Sequence, residues 1–202
     1  EDGSLAVCVP HEIVESFNKD VKHEFISKMG DWKEEDNSLR VESTATFAYG
    51  FFKEESKDAL MFHAKLTLED GYGAFGLMLK STEELSPSWE LIFEPTRSRV
   101  SITRYPCALD PFWQGLNPKI KDAPMEVDGP RTIERPLKIE NGKEIDVKVF
   151  IDDSLVECFV NEEVALSFRI YDPTDGQPFH KFGVFVEDGT LNVTDIKICE
   201  ES

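Results

Sequence analysis

Paired carboxylates are the side chains here with the widest chemical reach, because cleaving a glycoside takes two of them flanking one bond. With 40 Asp and Glu among 202 residues, chance pairs are unavoidable and spacing has to decide. The strand pattern Glu-x-Asp-x-x-Glu would project alternate acids from one face into a cleft. Glu144-Ile145-Asp146 begins it, but Val149 stands where the third acid belongs, and Val147, Val149 and Ile151 mark the stretch as core. Nucleophile chemistry has no motif either. Gly-x-Ser-x-Gly does not occur, and His11, His23, His63 and His180 lack the spacing of metal ligands. His63 lies opposite the apolar face of its strand and is expected in solvent. No Gly-rich phosphate cradle appears. Cys8, Cys107, Cys158 and Cys199 are far apart and form no Cys-x-x-Cys pair, which excludes zinc-ribbon and thioredoxin-type chemistry and favours free, buried thiols over two disulfides. No metal or cofactor is expected. Asn192-Val193-Thr194 is a glycosylation sequon, but it falls inside a predicted strand.

The charge balance narrows the partners. Twenty-two basic against 40 acidic residues gives 22 − 40 = −18, and a polyanion is repelled by nucleic-acid phosphates and anionic lipid headgroups. Nucleic-acid and membrane-surface functions are therefore discounted. A 40% hydrophobic content with 15 Phe is globular. No apolar run approaches the roughly 20 residues of a membrane span, and the N-terminus lacks the basic and apolar regions of a signal peptide, which favours a cytoplasmic location. The chain starts at Glu1, and Leu5 to Val9 already reads as a strand, so a fragment of a longer polypeptide is expected.

The elements that would position any site read as strands. After an amphipathic stretch, Glu12 to Phe17, that suggests a single short helix, the pattern turns to alternation. Leu60, Phe62, Ala64, Leu66 and Leu68 line one face of a half-buried strand, Asp70-Gly71 supplies turn chemistry, and Phe75, Leu77 and Leu79 line the next, which together predict a hairpin over 60–80. Further strands are signalled by Trp89, Leu91 and Phe93; by Val100 and Ile102; by Ile145 to Ile151; and by Val156, Cys158 and Val160. Another pair lies near Phe182 to Val186 and Leu191 to Ile198, and the latter switches apolar parity after Val193, which implies a bulge. Many short strands with almost no helix predict an all-β, two-sheet antiparallel sandwich. Residues 105–131 are the exception, since Pro106, Pro111, Pro118, Pro124 and Pro130 bar a central strand. Phe112 and Trp113 favour an ordered loop there, lying over a sheet or against a neighbour.

Val149-Phe150-Ile151-Asp152-Asp153-Ser154-Leu155-Val156-Glu157-Cys158-Phe159-Val160-Asn161, continuing to Ser167-Phe168-Arg169-Ile170-Tyr171, resembles the V-F-V-D-R-S-S-V-E-V-F-V-N…S-R-I-F hairpin of the C-terminal sandwich module in glycoside hydrolase family 32. That family includes invertases, levanases, inulinases and sucrose-6-phosphate hydrolases. The opening Asp2-Gly3-Ser4-Leu5-Ala6-Val7-Cys8-Val9-Pro10 is similar to its D-G-x-L-x-V-x-x-P linker, and the stretches 74–80 and 181–189 are similar to hairpins shared with fructan-binding modules. Asp153 replaces the family's usual Arg, and no Gly follows Asn161-Glu162. The propeller motifs W-M-N-D-P-N-G and R-D-P are absent, and Glu157-Cys158 matches the V-E-V-F hairpin position, not the propeller's E-C acid.

The resemblance implies a concanavalin-like, jelly-roll sandwich with a short N-terminal helix: residues 1–20 as linker and helix following a missing catalytic domain, and 21–202 as one sandwich domain with a Pro-rich loop at 105–131. It implies a non-catalytic accessory module that packs on and stabilises a five-bladed propeller in the same polypeptide. Phe112 and Trp113 are the expected contact. The alternative is a carbohydrate-binding module for terminal fructose or short fructans, in which polar side chains converge beside an aromatic. Trp32, Lys80, Glu94 and Arg104, which flank predicted strands, are its candidate residues. Trp89 shares parity with Leu91 and Phe93 and reads as core.

Overall fold

The computed structural model describes residues 6–43, 47–55, 59–105, 132–171 and 178–201. A short helix, α1 (His11–Ser16), precedes strands β1 (Lys19–Val21), β2 (Phe25–Met29), β3 (Lys33–Glu35), β4 (Ser38–Ser43) and β5 (Ala48–Glu55). Then come β6 (Leu60–Asp70), β7 (Phe75–Ser81), β8 (Ser88–Glu94), β9 (Arg99–Tyr105) and β10 (Ile133–Pro136). The chain closes with β11 (Ile145–Asp152), β12 (Leu155–Val160), β13 (Val164–Arg169), β14 (Lys181–Val186) and β15 (Gly189–Glu200). Sheet A runs β13-β12-β11-β6-β15-β4-β3, with β1 also on β15; sheet B runs β10-β9-β8-β7-β14-β5-β2. Every described pairing is antiparallel.

Alternation places one face of each sheet in a shared core. Leu60, Phe62, Ala64, Leu66 and Leu68 of sheet A face Phe52, Leu77, Leu91, Phe93 and Phe182 of sheet B. Each such side chain taken fully out of water contributes roughly 1.5–3 kcal/mol. Phe62 bridges the two sheets, its ring centroid 4.9 Å from that of Phe182 and 5.7 Å from that of Phe52. Trp89 packs on the same core with its ring 4.9 Å from Phe168, as its parity requires. α1 lies one residue earlier than its sequence signal. Phe17, at its C-terminus, rests on the outer face of sheet A against Phe150, Met61 and Cys199.

Several expectations are corrected. The 60–80 segment is not a hairpin: β6 pairs with β11 and β15 in sheet A, whereas β7 pairs with β8 and β14 in sheet B. Period two fixes which face of a strand is buried, and two strands facing one core can sit side by side or opposite each other. Here Gly71, at φ +93°, carries the chain across. Ala6 to Pro10 is not a strand, although the Val7 N–H bonds to the Glu162 carbonyl. Residues 19–55, which give little alternation, form five strands, and the all-charged Lys33 to Glu35 is one of them. His63 is half-buried rather than in open solvent, and its Nε2 lies 2.8 Å from Asp146 Oδ2. The β11–β12 hairpin of the 149–171 motif and the bulge after Val193 are where the sequence puts them, the bulge marked by Asp195 at φ +54°.

Candidate functional site

The four residues selected as sugar contacts do not converge. Lys80 and Arg104 both pair with Trp89, so they share one cross-strand row over β7-β8-β9, about 10 Å apart at the usual strand spacing. Lys80 is buried and Arg104 exposed. Glu94 lies five residues along β8 from that row, about 17 Å away at 3.4 Å per residue. Its carboxylate is clamped by Arg99, with Nε to Oε2 at 2.5 Å and NH2 to Oε1 at 3.2 Å, while Arg97 reaches Oε1 at 3.3 Å. Arg99 also bonds Glu134 on β10 at 2.7 Å. Such a chain pins the β8–β9 connection and leaves Glu94 a structural anchor. Trp32 is at the other edge of the sandwich, where the chain crosses from β2 to β3. Its ring packs on Phe25 at 5.0 Å and its Nε1 donates to the Met29 carbonyl at 3.0 Å, so it plugs the core edge. Phe112 and Trp113 lie outside the described residues.

The other chemistry-bearing groups are likewise held in place. Asp146 accepts from Lys148 at 2.9 Å as well as meeting His63. Burial alone would raise its pKa, but these two bonds outweigh burial and hold it below the usual aspartate value. Asn192 of the sequon donates to Glu69 at 2.7 Å and accepts from Arg40 at 2.8 Å, so its amide is built into the outer face of sheet A. Cys158 is fully buried and Cys199 bonds Asp20 at 3.2 Å; Cys8, Cys158 and Cys199 are free thiols. Burial, then the Glu157 charge, pushes the Cys158 thiol far up. Burial, then Asp20, pushes Cys199 up to about 11. Among the described residues no three His, Cys, Asp or Glu are grouped so as to hold a metal.

Among the described residues, two of the cavities that open to solvent hold polar groups. One, of about 370 Å³, lies beside Thr82, Glu83 and Lys181, with Lys181 bonded to Glu55 at 3.2 Å and paired with Glu83 at 3.4 Å. The other, of about 650 Å³, is a notch in sheet A. β15 pairs with β4 as far as Val193 and with β1 only from Ile198, so between them no described strand borders that edge. The bulge fills the gap, and the Ile196 N–H bonds to Asn37 at the tip of the β3–β4 turn at 3.2 Å. Asp36 at that tip adopts φ +49°. Val21 lines its inner side over the core residues Ile196 and Ile198, and exposed Asp20, Asp36, Asn37 and Asp195 stand around it. Sequence reasoning missed this site because its parts lie at 20–37 and 195–198. The parity switch after Val193 was its only sequence signal.

Comparison with known proteins places the architecture. The family model described as glycosyl hydrolases family 32 C terminal matches residues 26–200. The chain belongs to that family. No curated protein sequence matches it significantly. Among solved structures, the carbohydrate-binding module CBM66 from Bacillus subtilis superposes with a TM-score of 0.64 at 13% identity, over 88% of this chain and 95% of that one. A fructosyltransferase from A. japonicus gives 0.57 at 14% identity, over 96% of this chain and 29% of its own. The β-fructofuranosidase of Aspergillus kawachii gives 0.55 at 13%, over 96% and 30%. The family 32 C-terminal chain thus spans under a third of the length of the latter two. The module is an accessory, sugar-related β-sandwich and not the catalytic domain of its family.

Proposed function

We propose that this module is the non-catalytic partner of a fructan- or sucrose-hydrolysing domain in the same polypeptide, and that it stabilises that domain by packing against it. The observation that carries the reading is the family 32 C-terminal match over 26–200, in a chain that corresponds to less than a third of a fructosyltransferase or β-fructofuranosidase. The outer face of sheet B supports it. Outward positions of a two-layer sandwich ordinarily face water and are polar. Here Phe51, Met78, Ile92 and Phe185 form a further apolar cluster, itself buried, flanked by half-buried Phe47 and Tyr49, and Ile26 and Met29 beside it on the edge strand β2 are exposed. This β2–β5 side is the contact surface we assign, with the 105–131 segment as a second contact. Adding the chain in trans to the separately produced catalytic domain raises that domain's thermal midpoint, since a ligand at a hundredfold excess over Kd stabilises by about 2.7 kcal/mol. An unchanged midpoint at saturating chain removes the reading.

A second reading, carbohydrate binding, is favoured by the superposition on nearly the whole of the carbohydrate-binding module CBM66 chain. In that reading the ligand is a terminal fructose or a short fructan. Saturable heat on titrating the chain with inulin oligosaccharides supports it, and silence at millimolar sugar removes it.

A further inference from the structure

We propose that the notch beside the β15 bulge is the binding site for a neutral, polyhydroxylated ligand, either a free monosaccharide or the end unit of a sugar chain. The inference rests on the carbohydrate-binding reading and supplies its location, which none of Trp32, Lys80, Glu94 and Arg104 provides.

Size and shape come first. A volume of about 650 Å³ lies within the roughly 300–1,000 Å³ of small-ligand sites. The notch follows from the fold, because β15 changes partner from β4 to β1 on one edge and the four residues 194–197 between have no described strand beside them. The opposite edge of β15 is held by β6 on both sides of the bulge, and Ile196 is tied to Asn37, so the opening is rigidly framed.

Its chemistry is amphipathic in the way a sugar ring is. Half-buried Val21 offers an aliphatic surface to C–H groups, backed by the core residues Ile196 and Ile198. On the rim, Asp20, Asp36 and Asp195 accept, Lys197 donates, and the Asn37 amide does both, which suits hydroxyls that donate and accept at once. A hydrogen bond from Cys199, then the charge of Lys197, lowers the pKa of Asp20, and Lys65 pairs with Asp195 at 3.0 Å.

Charge selects the ligand class. The lining carries four acids (Asp20, Glu34, Asp36, Asp195) and two lysines (Lys22, Lys197), a formal 2 − 4 = −2, on a chain of −18. Sugar phosphates and uronates are repelled. A neutral ring is not.

The test is calorimetric titration of the 202-residue chain with fructose, with a short inulin oligosaccharide and with fructose 6-phosphate. The paired variant Asp36→Gly, Asn37→Ala removes the turn-tip groups, and Gly suits the left-handed φ of residue 36. Asp195→Asn is the second probe, since Asn tolerates φ +54°. Arg104→Ala, on the other sheet, is the control. The expected result is at least tenfold weaker binding of the neutral sugar by the paired variant and by Asp195→Asn, an unchanged circular dichroism spectrum, wild-type affinity in Arg104→Ala, and weaker binding of the phosphate than of fructose. Wild-type affinity in both notch variants, or loss confined to Arg104→Ala, overturns the location while sugar binding stands. No saturable heat from the unaltered chain with either neutral sugar overturns the binding reading and this inference with it.

Discussion

Truncating Phe62 to Ala is the sharpest test of how the two sheets are joined. The ring belongs to sheet A, is fully buried, and meets Phe182 at 4.9 Å and Phe52 at 5.7 Å, both from sheet B. Those two partners stack on each other at 5.5 Å and cannot close over the void without leaving that arrangement. Removing a buried Phe ring costs about 3–5 kcal/mol, the lost transfer free energy plus the cavity left behind. At about 2–4 °C per kcal/mol for a domain this long, the thermal midpoint falls by roughly 6–20 °C. Phe62→Leu keeps most of the volume and costs about 1.5 kcal/mol or less, a fall of no more than about 6 °C. Scanning calorimetry on the two variants side by side reads both numbers. If Phe62→Ala loses less than about 3 °C, or no more than Phe62→Leu, the ring does not join the sheets and the packing argument fails.

Two further predictions concern ionisation. Because Asp146 titrates below its unfolded value, the stability it contributes is fully present above about pH 4 and lost as pH falls through the depressed folded pKa. The urea midpoint of Asp146→Asn therefore declines less than that of the unaltered chain between pH 5 and 3; identical declines contradict the His63–Asp146–Lys148 geometry. Iodoacetamide at pH 8 modifies exposed Cys8 and spares Cys158 and Cys199, whose burial keeps both thiols protonated, until urea is added. Peptide mapping that finds Cys158 labelled in the native chain counts against its place in the core.

Whether 60–80 turns back within one sheet or crosses to the other was decided by packing. Alternation at Leu60 to Leu68 and Phe75 to Leu79 correctly gives two strands and their buried faces, because that period is local and the core reads every second side chain. It says nothing about neighbours, and β6 and β7 went to opposite sheets. The edge strands β1 to β3 were illegible for a related reason. Each buries little, with Lys33, Glu34 and Glu35 all exposed, so no pattern marks it, and backbone pairing of β1 to β15, β2 to β5 and β3 to β4 is what makes each a strand.

The candidate site divides along the same line. Residue types and charge set the expectation against phosphate, nucleic-acid and nucleophile chemistry, and the 149–171 motif sufficed to name the family that the match over 26–200 shows. These properties belong to short stretches or to composition, and they need no knowledge of what lies beside what. Tertiary structure alone decided that Glu94 is locked by Arg99, that Trp32 is a plug on Phe25, and that Asp20, Asp36, Asn37 and Asp195 frame one notch. The physical reason is contact order. The notch joins groups about 160 or more residues apart, and they meet only because β15 must leave β4 to pair with β1.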